Sequence, residues 1–139
     1  MYTNGGDILL LRRQAPFEFW QSVTGSLDPG ESSQDAASRE LFEETGFAAE
    51  GELIDRQYSR IFTIDPRWRK RYATGVTENK EHEWHYRLGD TADISLDDSE
   101  HSTYRWTAID EAIDAVWSST NKEALVALRR ELRQKQQSV

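Results

Sequence analysis

The sequence predicts an α/β fold, in which one mixed β-sheet carries helices on both of its faces. Short segments typical of strands occur on both sides of a helical segment that ends at Gly46. Two further helical segments close the chain, and 139 residues are enough for one domain with its own core. We therefore expect residues 1–139 to form a single domain.

The expected strands differ in how clearly their side chains indicate them. Residues 7–11 are a short apolar run, residues 19–24 are aromatic and β-branched, and residues 82–88 alternate regularly. The alternation over 48–64 is looser, and a last short strand is expected at 103–106. The polar stretches between these segments, at residues 65–80 and 90–100, are predicted to be loops.

Three helices are expected. The first begins at Ser32 or Ser33, contains no Gly or Pro, and ends at Gly46, a residue type common after a helix C-terminus. The other two cover roughly 108–116 and 120–136, and the last has leucines at helical spacing but no motif.

The composition excludes several classes of function. The chain has no Cys, which rules out disulfides, thiol nucleophiles and thiolate metal sites. Only His82, His85 and His101 are present, and we expect them at the surface or in loops rather than as metal ligands. A net charge of −8 disfavours binding to a nucleic acid polymer.

No segment of the sequence predicts a membrane location. There is no apolar run near 18 residues, and Met1 is not followed by a basic and then an apolar stretch. We expect a cytoplasmic protein that acts on a small molecule, either as a monomer or as a homodimer.

Three carboxylates crowd one arc of the first helix. At about 100° per residue, Glu43 and Glu44 lie within about 60° of Glu40. Like charges at this spacing repel each other, and a divalent cation such as Mg²⁺ resolves the repulsion because it prefers oxygen ligands. Glu31 could add a further carboxylate from the preceding loop. The alternative for three glutamates alone is a solvated acidic helix face.

The loop and the helix together carry a far more specific pattern. Gly25 is followed by five residues and Glu31, and after seven more residues comes Arg-Glu-Leu-Phe-Glu-Glu-Thr-Gly-Phe, which ends at Phe47. This segment resembles the Nudix box at every fixed position. The resemblance implies an α/β/α sandwich and Mg²⁺-dependent hydrolysis of a nucleoside diphosphate linked to another group, with Mn²⁺ as a possible substitute for Mg²⁺.

The same resemblance implies roles for individual residues. Glu40, Glu43 and Glu44 match the metal-binding set, and Arg39 matches the residue that holds these carboxylates in place. Gly25, Glu31 and Gly46 match positions of the box that have a structural role. Phosphoryl transfer mainly requires positioning and charge neutralisation, which metal ions on this helix would provide.

Features outside the box resemble the branch of the family that hydrolyses dihydroneopterin triphosphate to the monophosphate and pyrophosphate, a step of folate synthesis. They are the segment 19–26 before the box, the segment 71–77, and Glu100-His101 before Tyr104-Arg-Trp106. Glu100 matches a glutamate outside the box in those enzymes, and is a candidate metal ligand or general base. Glu44 is the other candidate base.

Substrate recognition is predicted for five residues, each with a structural alternative. Trp20 either stacks on a flat ring or fills the core, and Gln21 either reads a ring edge or is an exposed strand residue. Positive charge near a triphosphate could come from the remaining three, which are Arg12, Arg69 and Arg71.

Two other functions remain open at this point. The chain could hydrolyse ordinary or damaged nucleoside triphosphates, since the box contacts the diphosphate and not the base. It could also be a non-catalytic nucleotide sensor, although such modules typically lose box carboxylates. Because relatives begin with a central apolar strand and this chain opens at Met1-Tyr-Thr3, we expect that strand to be missing or truncated.

Overall fold

The computed structural model describes residues 1–47 and 50–137, and its strands form one mixed sheet. The strands are β1 (Tyr2–Thr3), β2 (Asp7–Arg13), β3 (Phe19–Gln21), β4 (Glu52–Thr63), β5 (Glu78–Leu88) and β6 (His101–Ala108). β2 pairs antiparallel with β6 along one edge, and β1 and β3 share its other edge. β1 pairs in parallel with β5, which pairs antiparallel with β4. The predicted mixed sheet is confirmed.

The helices are α1 (Ser33–Thr45), α2 (Ile109–Ala115) and α3 (Ser119–Gln137). The Oγ of Ser32 caps α1 by accepting the amide hydrogen of Asp35 at 3.1 Å. Gly46 ends the helix with a φ of 82°, in the left-handed region that favours glycine. Within the two described ranges, no helix is long and apolar enough to cross a membrane.

The sheet separates two apolar cores. On the side of α2 and α3, called the α3 face below, one core joins Tyr2, Ile8, Leu10, Ala112, Val116, Leu125 and Leu128. On the side of α1, called the α1 face, the other core joins Leu41, Tyr86 and Leu88. Neighbouring residues of β2 point to opposite faces, and Leu9 and Leu11 are also fully buried. Helices therefore cover both faces, as an α/β/α sandwich requires.

The strand expected to be missing or truncated is the two-residue β1. Tyr2 and Thr3 are buried and lie between β2 and β5, so the central position in the sheet is occupied. Thr3 Oγ1 accepts the amide hydrogen of Asp7 at 3.1 Å, which closes the turn between β1 and β2.

One predicted loop and one predicted strand have limits in the structure that differ from those expected from the sequence. β5 begins at Glu78, so part of the loop predicted for 65–80 is strand, and Pro66–Arg71 forms a 3₁₀ turn. In the outer half of the β4–β5 hairpin, exposed residues alternate with partly exposed ones and most of the latter are polar, so hydrophobic alternation could not reveal it. The strand predicted from residue 48 begins at Glu52 in the structure, and Ala48 and Ala49 lie outside the described residues.

Candidate active site

One arginine links the loop before α1 to the carboxylates of that helix. The Nε and Nη2 atoms of Arg39 donate hydrogen bonds to the two carboxylate oxygens of Glu31, both at 2.9 Å. Its Nη1 donates to Glu40 at 2.8 Å and to Glu43 at 3.3 Å, and its Nη2 also reaches the carbonyl of Ser26 at 2.7 Å. Arg39 thus holds the loop and two carboxylates of the arc together.

The charges in this group compensate one another. Hydrogen bonds from the Arg39 side chain and the Asp28 amide lower the pKa of Glu31 to about 2. The hydrogen bond to Glu31 in turn raises the pKa of Arg39. Glu31 and Arg39 therefore both stay charged at any physiological pH.

A second acidic group lies one turn further along α1. Ligand atoms of Glu44, Glu100 and His101 all lie within 4.8 Å of one another. Only 3% of Glu44 is exposed, and the amide of Thr24 donates a 3.3 Å hydrogen bond to its carboxylate. Burial first, then the charges of Glu40 and Glu100, raise the pKa of Glu44 to about 9. This group has acidic acceptors without a compensating arginine among the described residues.

His101 is the residue of this group that the sequence analysis did not select. The sequence predicts it at the surface or in a loop, but it is fully buried because β6 begins there and pairs it with Arg13. Its Nε2 lies 2.9 Å from the Nε2 of Gln21, while its Nδ1 has no partner among the described residues. His85 is also buried, beside Glu83 at 2.9 Å, so both surface predictions were wrong.

The second acidic group fits a divalent cation. Its carboxylate oxygens are the donors that Mg²⁺ and Mn²⁺ prefer, and burial leaves Glu44 poorly ionised unless a positive charge is nearby. Burial also raises the pKa of Glu40, although Arg39 opposes that shift. Within residues 1–47 and 50–137, Glu40 and Glu43 contact Arg39 and are not part of the group, so their metal role stays a prediction.

Gly25 allows the loop to pass close to the helix. A Cβ atom at this position would lie only 2.0 Å from Cδ of Glu40. No side chain is compatible with that contact unless Glu40 moves. The glycine predicted as structural therefore sets the position of a carboxylate in the arc.

The predicted substrate residues are divided between the two faces of the sheet. Trp20 pairs with Arg12 across β3 and β2 and packs against the core of the α3 face. The guanidinium groups of Arg12 and Arg105 lie 5.4 Å and 4.6 Å from its ring centroid. Gln21, the next residue, is buried on the α1 face beside His101. The ring of Trp20 thus lies on the opposite side of the sheet from the acidic groups.

The two predicted arginines of the long loop lie in the 3₁₀ turn. Both Arg69 and Arg71 are exposed, and Nε of Arg69 donates to the carbonyl of Ile64 at 3.2 Å. Their proposed contact with phosphate stays a prediction.

Comparison with known proteins agrees with this arrangement. A family model for the NUDIX domain matches residues 1–128. The dihydroneopterin triphosphate diphosphatase of Escherichia coli (strain K12) is 37% identical over 121 residues, which are 85% of this chain and 79% of that protein. The enzyme of the same name from Haemophilus influenzae is 35% identical over 121 residues, which are 85% of this chain and 75% of that enzyme.

A solved structure shares the fold as well. The E. coli dihydroneopterin triphosphate pyrophosphohydrolase superposes with a TM-score of 0.84 and 35% identity, covering 89% of this chain and 86% of that one. Nudix hydrolases generally need divalent metal ions, and the acidic group at the end of α1 is compatible with one. With a matching family model over most of its length and relatives above 30% identity, the chain belongs to the Nudix family.

Proposed function

We propose that this chain is a Mg²⁺-dependent pyrophosphohydrolase that converts dihydroneopterin triphosphate into dihydroneopterin monophosphate and pyrophosphate. We propose further that residues 1–139 act as one domain. The observation that carries the reaction type is the group of buried Glu44, exposed Glu100 and buried His101 beside the carboxylates bound by Arg39. The choice of substrate is supported by the likeness to the enzymes of E. coli and H. influenzae.

Glu44 and Glu100 would hold the Mg²⁺ ion, and Glu40 and Glu43 are the neighbouring carboxylates that could complete its ligands. When bound, such an ion neutralises charge on phosphate oxygens and lowers the pKa of a coordinated water. Mn²⁺ accepts the same oxygen donors and is expected to replace Mg²⁺.

The residues of the chain position the reactants and move one proton. Arg39 keeps Glu40 and Glu43 on the side of α1 where the acidic group lies, so its main role is to position them. A carboxylate of Glu44 or Glu100 accepts the proton of the attacking water. The water oxygen forms a bond to phosphorus, the phosphoanhydride bond breaks, and pyrophosphate leaves.

The test is a product assay with purified protein and Mg²⁺. Dihydroneopterin triphosphate is compared with dATP, GTP and 8-oxo-dGTP, and pyrophosphate release gives kcat/KM for each. We expect kcat/KM for the pterin to exceed that of every nucleotide by at least about tenfold, a factor that corresponds to about 1.4 kcal/mol of transition-state binding.

Glu52→Gln is the matched control. Glu52 is an exposed glutamate at the start of β4 that pairs with Arg87 and belongs to neither acidic group. It should turn over the pterin like the unaltered protein. A preference for a nucleotide would contradict the proposed substrate and favour the nucleotide hydrolase. Binding of substrates without any turnover would contradict the hydrolase itself and favour a sensor.

A further inference from the structure

Four aromatic side chains from three separate segments meet beside β3, at the edge that Val116 and Trp117 cover. Phe17 and Phe19 come from the β2–β3 connection and β3, Trp68 from the 3₁₀ turn, and Trp117 from the α2–α3 connection. The ring centroids of Phe17 and Trp117 lie 4.7 Å and 5.2 Å from that of Phe19. Trp68 lies 5.7 Å from both Phe19 and Trp117. We call these four residues the aromatic cluster.

The aromatic cluster lies on the same face of the sheet as the acidic groups. Phe19 and Gln21 are two residues apart on β3, so their side chains point to the same face. Gln21 contacts His101, whose ring belongs to the acidic group with Glu44. Two residues of a strand span about 7 Å. Gln21 therefore lies between Phe19 of the aromatic cluster and His101 of the candidate metal site.

Trp117 differs from Trp20, the tryptophan that the sequence predicts for ring stacking, in how much of its ring is available. Trp117 is 44% exposed, which is unusual for a large ring that serves only as packing. The ring of Trp20 has guanidinium groups near it and packs against the core of the α3 face. The main-chain amide of Trp117 also donates to the carbonyl of Trp20 at 3.3 Å, which fixes the backbone that carries the exposed ring.

Two arginines border the aromatic cluster. The guanidinium carbon of Arg67 lies 3.8 Å from the ring centroid of Phe17 and 5.6 Å from that of Trp117. Asp65 holds Arg67 in place through two hydrogen bonds at 2.8 Å and 2.9 Å. Arg13 lies 5.9 Å from the ring of Trp68. An aromatic surface bordered by cations suits a ligand that joins a planar ring to a chain of phosphates.

We propose that the aromatic cluster, through the partly exposed ring of Trp117, is the platform on which the planar heteroaromatic ring of the triphosphate substrate stacks. Phe19 and Trp68 pack against the ring of Trp117, and Arg67 lies beside that ring. The proposal rests on the proposed function, because it places the ring of that substrate. It assigns ring recognition to Trp117 instead of Trp20.

The test measures binding of the ring without catalysis. Dissociation constants for dihydroneopterin triphosphate are determined by calorimetry in EDTA, where hydrolysis cannot proceed. Loss of one stacking side chain typically weakens binding by about tenfold or more. We expect Trp117→Ala to raise Kd by about tenfold, and Trp117→Phe to restore it to within about threefold because an aromatic surface remains.

Tyr58→Ala is the matched control. Tyr58 is an exposed aromatic residue with Arg60 4.4 Å from its ring, but it lies on β4 and has none of the ring contacts of the aromatic cluster. Its Kd should not change. Circular dichroism of each variant establishes that it is folded. If the alanine variant unfolds, Trp117→Leu takes its place, because leucine keeps apolar volume but has no ring, and the same rise in Kd is expected.

Several outcomes would overturn the platform. They are an unchanged Kd in folded Trp117→Ala, a Kd equally weakened in Tyr58→Ala, a loss confined to Trp20→Ala, and no binding by the unaltered protein in EDTA. Turnover by the unaltered protein with Mg²⁺ is measured separately. A protein that hydrolyses the pterin but binds it independently of Trp117 would refute the platform and leave the proposed function standing.

Discussion

Two glutamates on opposite faces of the sheet, Glu44 buried and Glu83 largely buried, have opposite electrostatic environments. Glu83 of β5 lies on the α3 face, and its side chain is 10% exposed. Nη1 of Arg60 donates to it at 2.6 Å, and Nε2 of His85 lies 2.9 Å from its other oxygen. Burial raises its pKa, but the hydrogen bonds from His85 and Arg60 outweigh burial and lower it to about 2.

Glu44 is at least as buried but lies next to acids. Its neighbours are Glu40 and Glu100, and its pKa is raised to about 9, mainly by burial. The comparison teaches that burial alone does not identify a functional carboxylate. A buried acid that receives its cation from the chain stabilises the fold, whereas one without such a partner needs a cation from solution.

The largest effect that follows from this difference is on catalysis by Glu44. We expect Glu44→Gln to lower kcat/KM by about 10²–10⁴-fold, because it withdraws a ligand from an ion that contributes several kcal/mol of charge stabilisation. The steady-state assay with dihydroneopterin triphosphate measures this loss. Retained activity with an unchanged Mg²⁺ dependence would contradict the assignment of Glu44.

Substitution of Glu83 should lower the free energy of unfolding without affecting catalysis. Glu83→Ala removes the largely buried carboxylate that accepts from Arg60 and leaves Arg60 only the more exposed Glu123, whose Oε1 lies 3.2 Å from its Nε. Breaking a buried pair costs about 3–5 kcal/mol, and we expect a loss at the lower end of that range because Glu123 remains. Urea unfolding should show this decrease in the free energy of unfolding. The folded fraction should keep the kcat of the unaltered protein, and a variant that is stable but inactive would contradict the division of roles between the two glutamates.

The pH dependence of stability sharpens the comparison further. The pKa of Glu44 is about 9 in the folded protein and about 4.5 in the unfolded chain. Folding therefore favours the protonated acid, and its contribution to stability is complete below about pH 4.5 and is lost as the pH rises toward 9.

In EDTA, Tm of the unaltered protein relative to that of Glu44→Gln should fall between pH 5 and pH 8. Addition of Mg²⁺ at pH 8 should raise Tm of the unaltered protein, because an ion that binds only the folded state stabilises it. A difference in Tm that is independent of both pH and Mg²⁺ would contradict the raised pKa and the metal site.

The sequence could predict α1 and its site more fully than the rest of the molecule. The limits of α1 depend on local signals at Ser32 and Gly46, and the box fixes the spacing between Gly25 and the helix. Arg39 contacts Glu31, Glu40 and Glu43, and its role in holding carboxylates for a metal ion stays a prediction.

The parts that could not be predicted depend on pairing between distant segments. His101 became part of the acidic group because β6 extends beyond its apolar residues and pairs with Arg13. The face on which Trp20 lies follows from its register with Arg12, which a single sequence does not reveal. A signal for His101 was present, since it follows Glu100 directly.

The central claim is that the group of Glu44, Glu100 and His101 binds a divalent cation. Electron paramagnetic resonance of free Mn²⁺ titrated with protein at pH 7.5 measures that binding directly. We predict binding by the unaltered protein and by Glu52→Gln, and a dissociation constant at least about tenfold weaker in Glu44→Gln and Glu100→Gln. Equal Mn²⁺ affinity in all four proteins would contradict the claim.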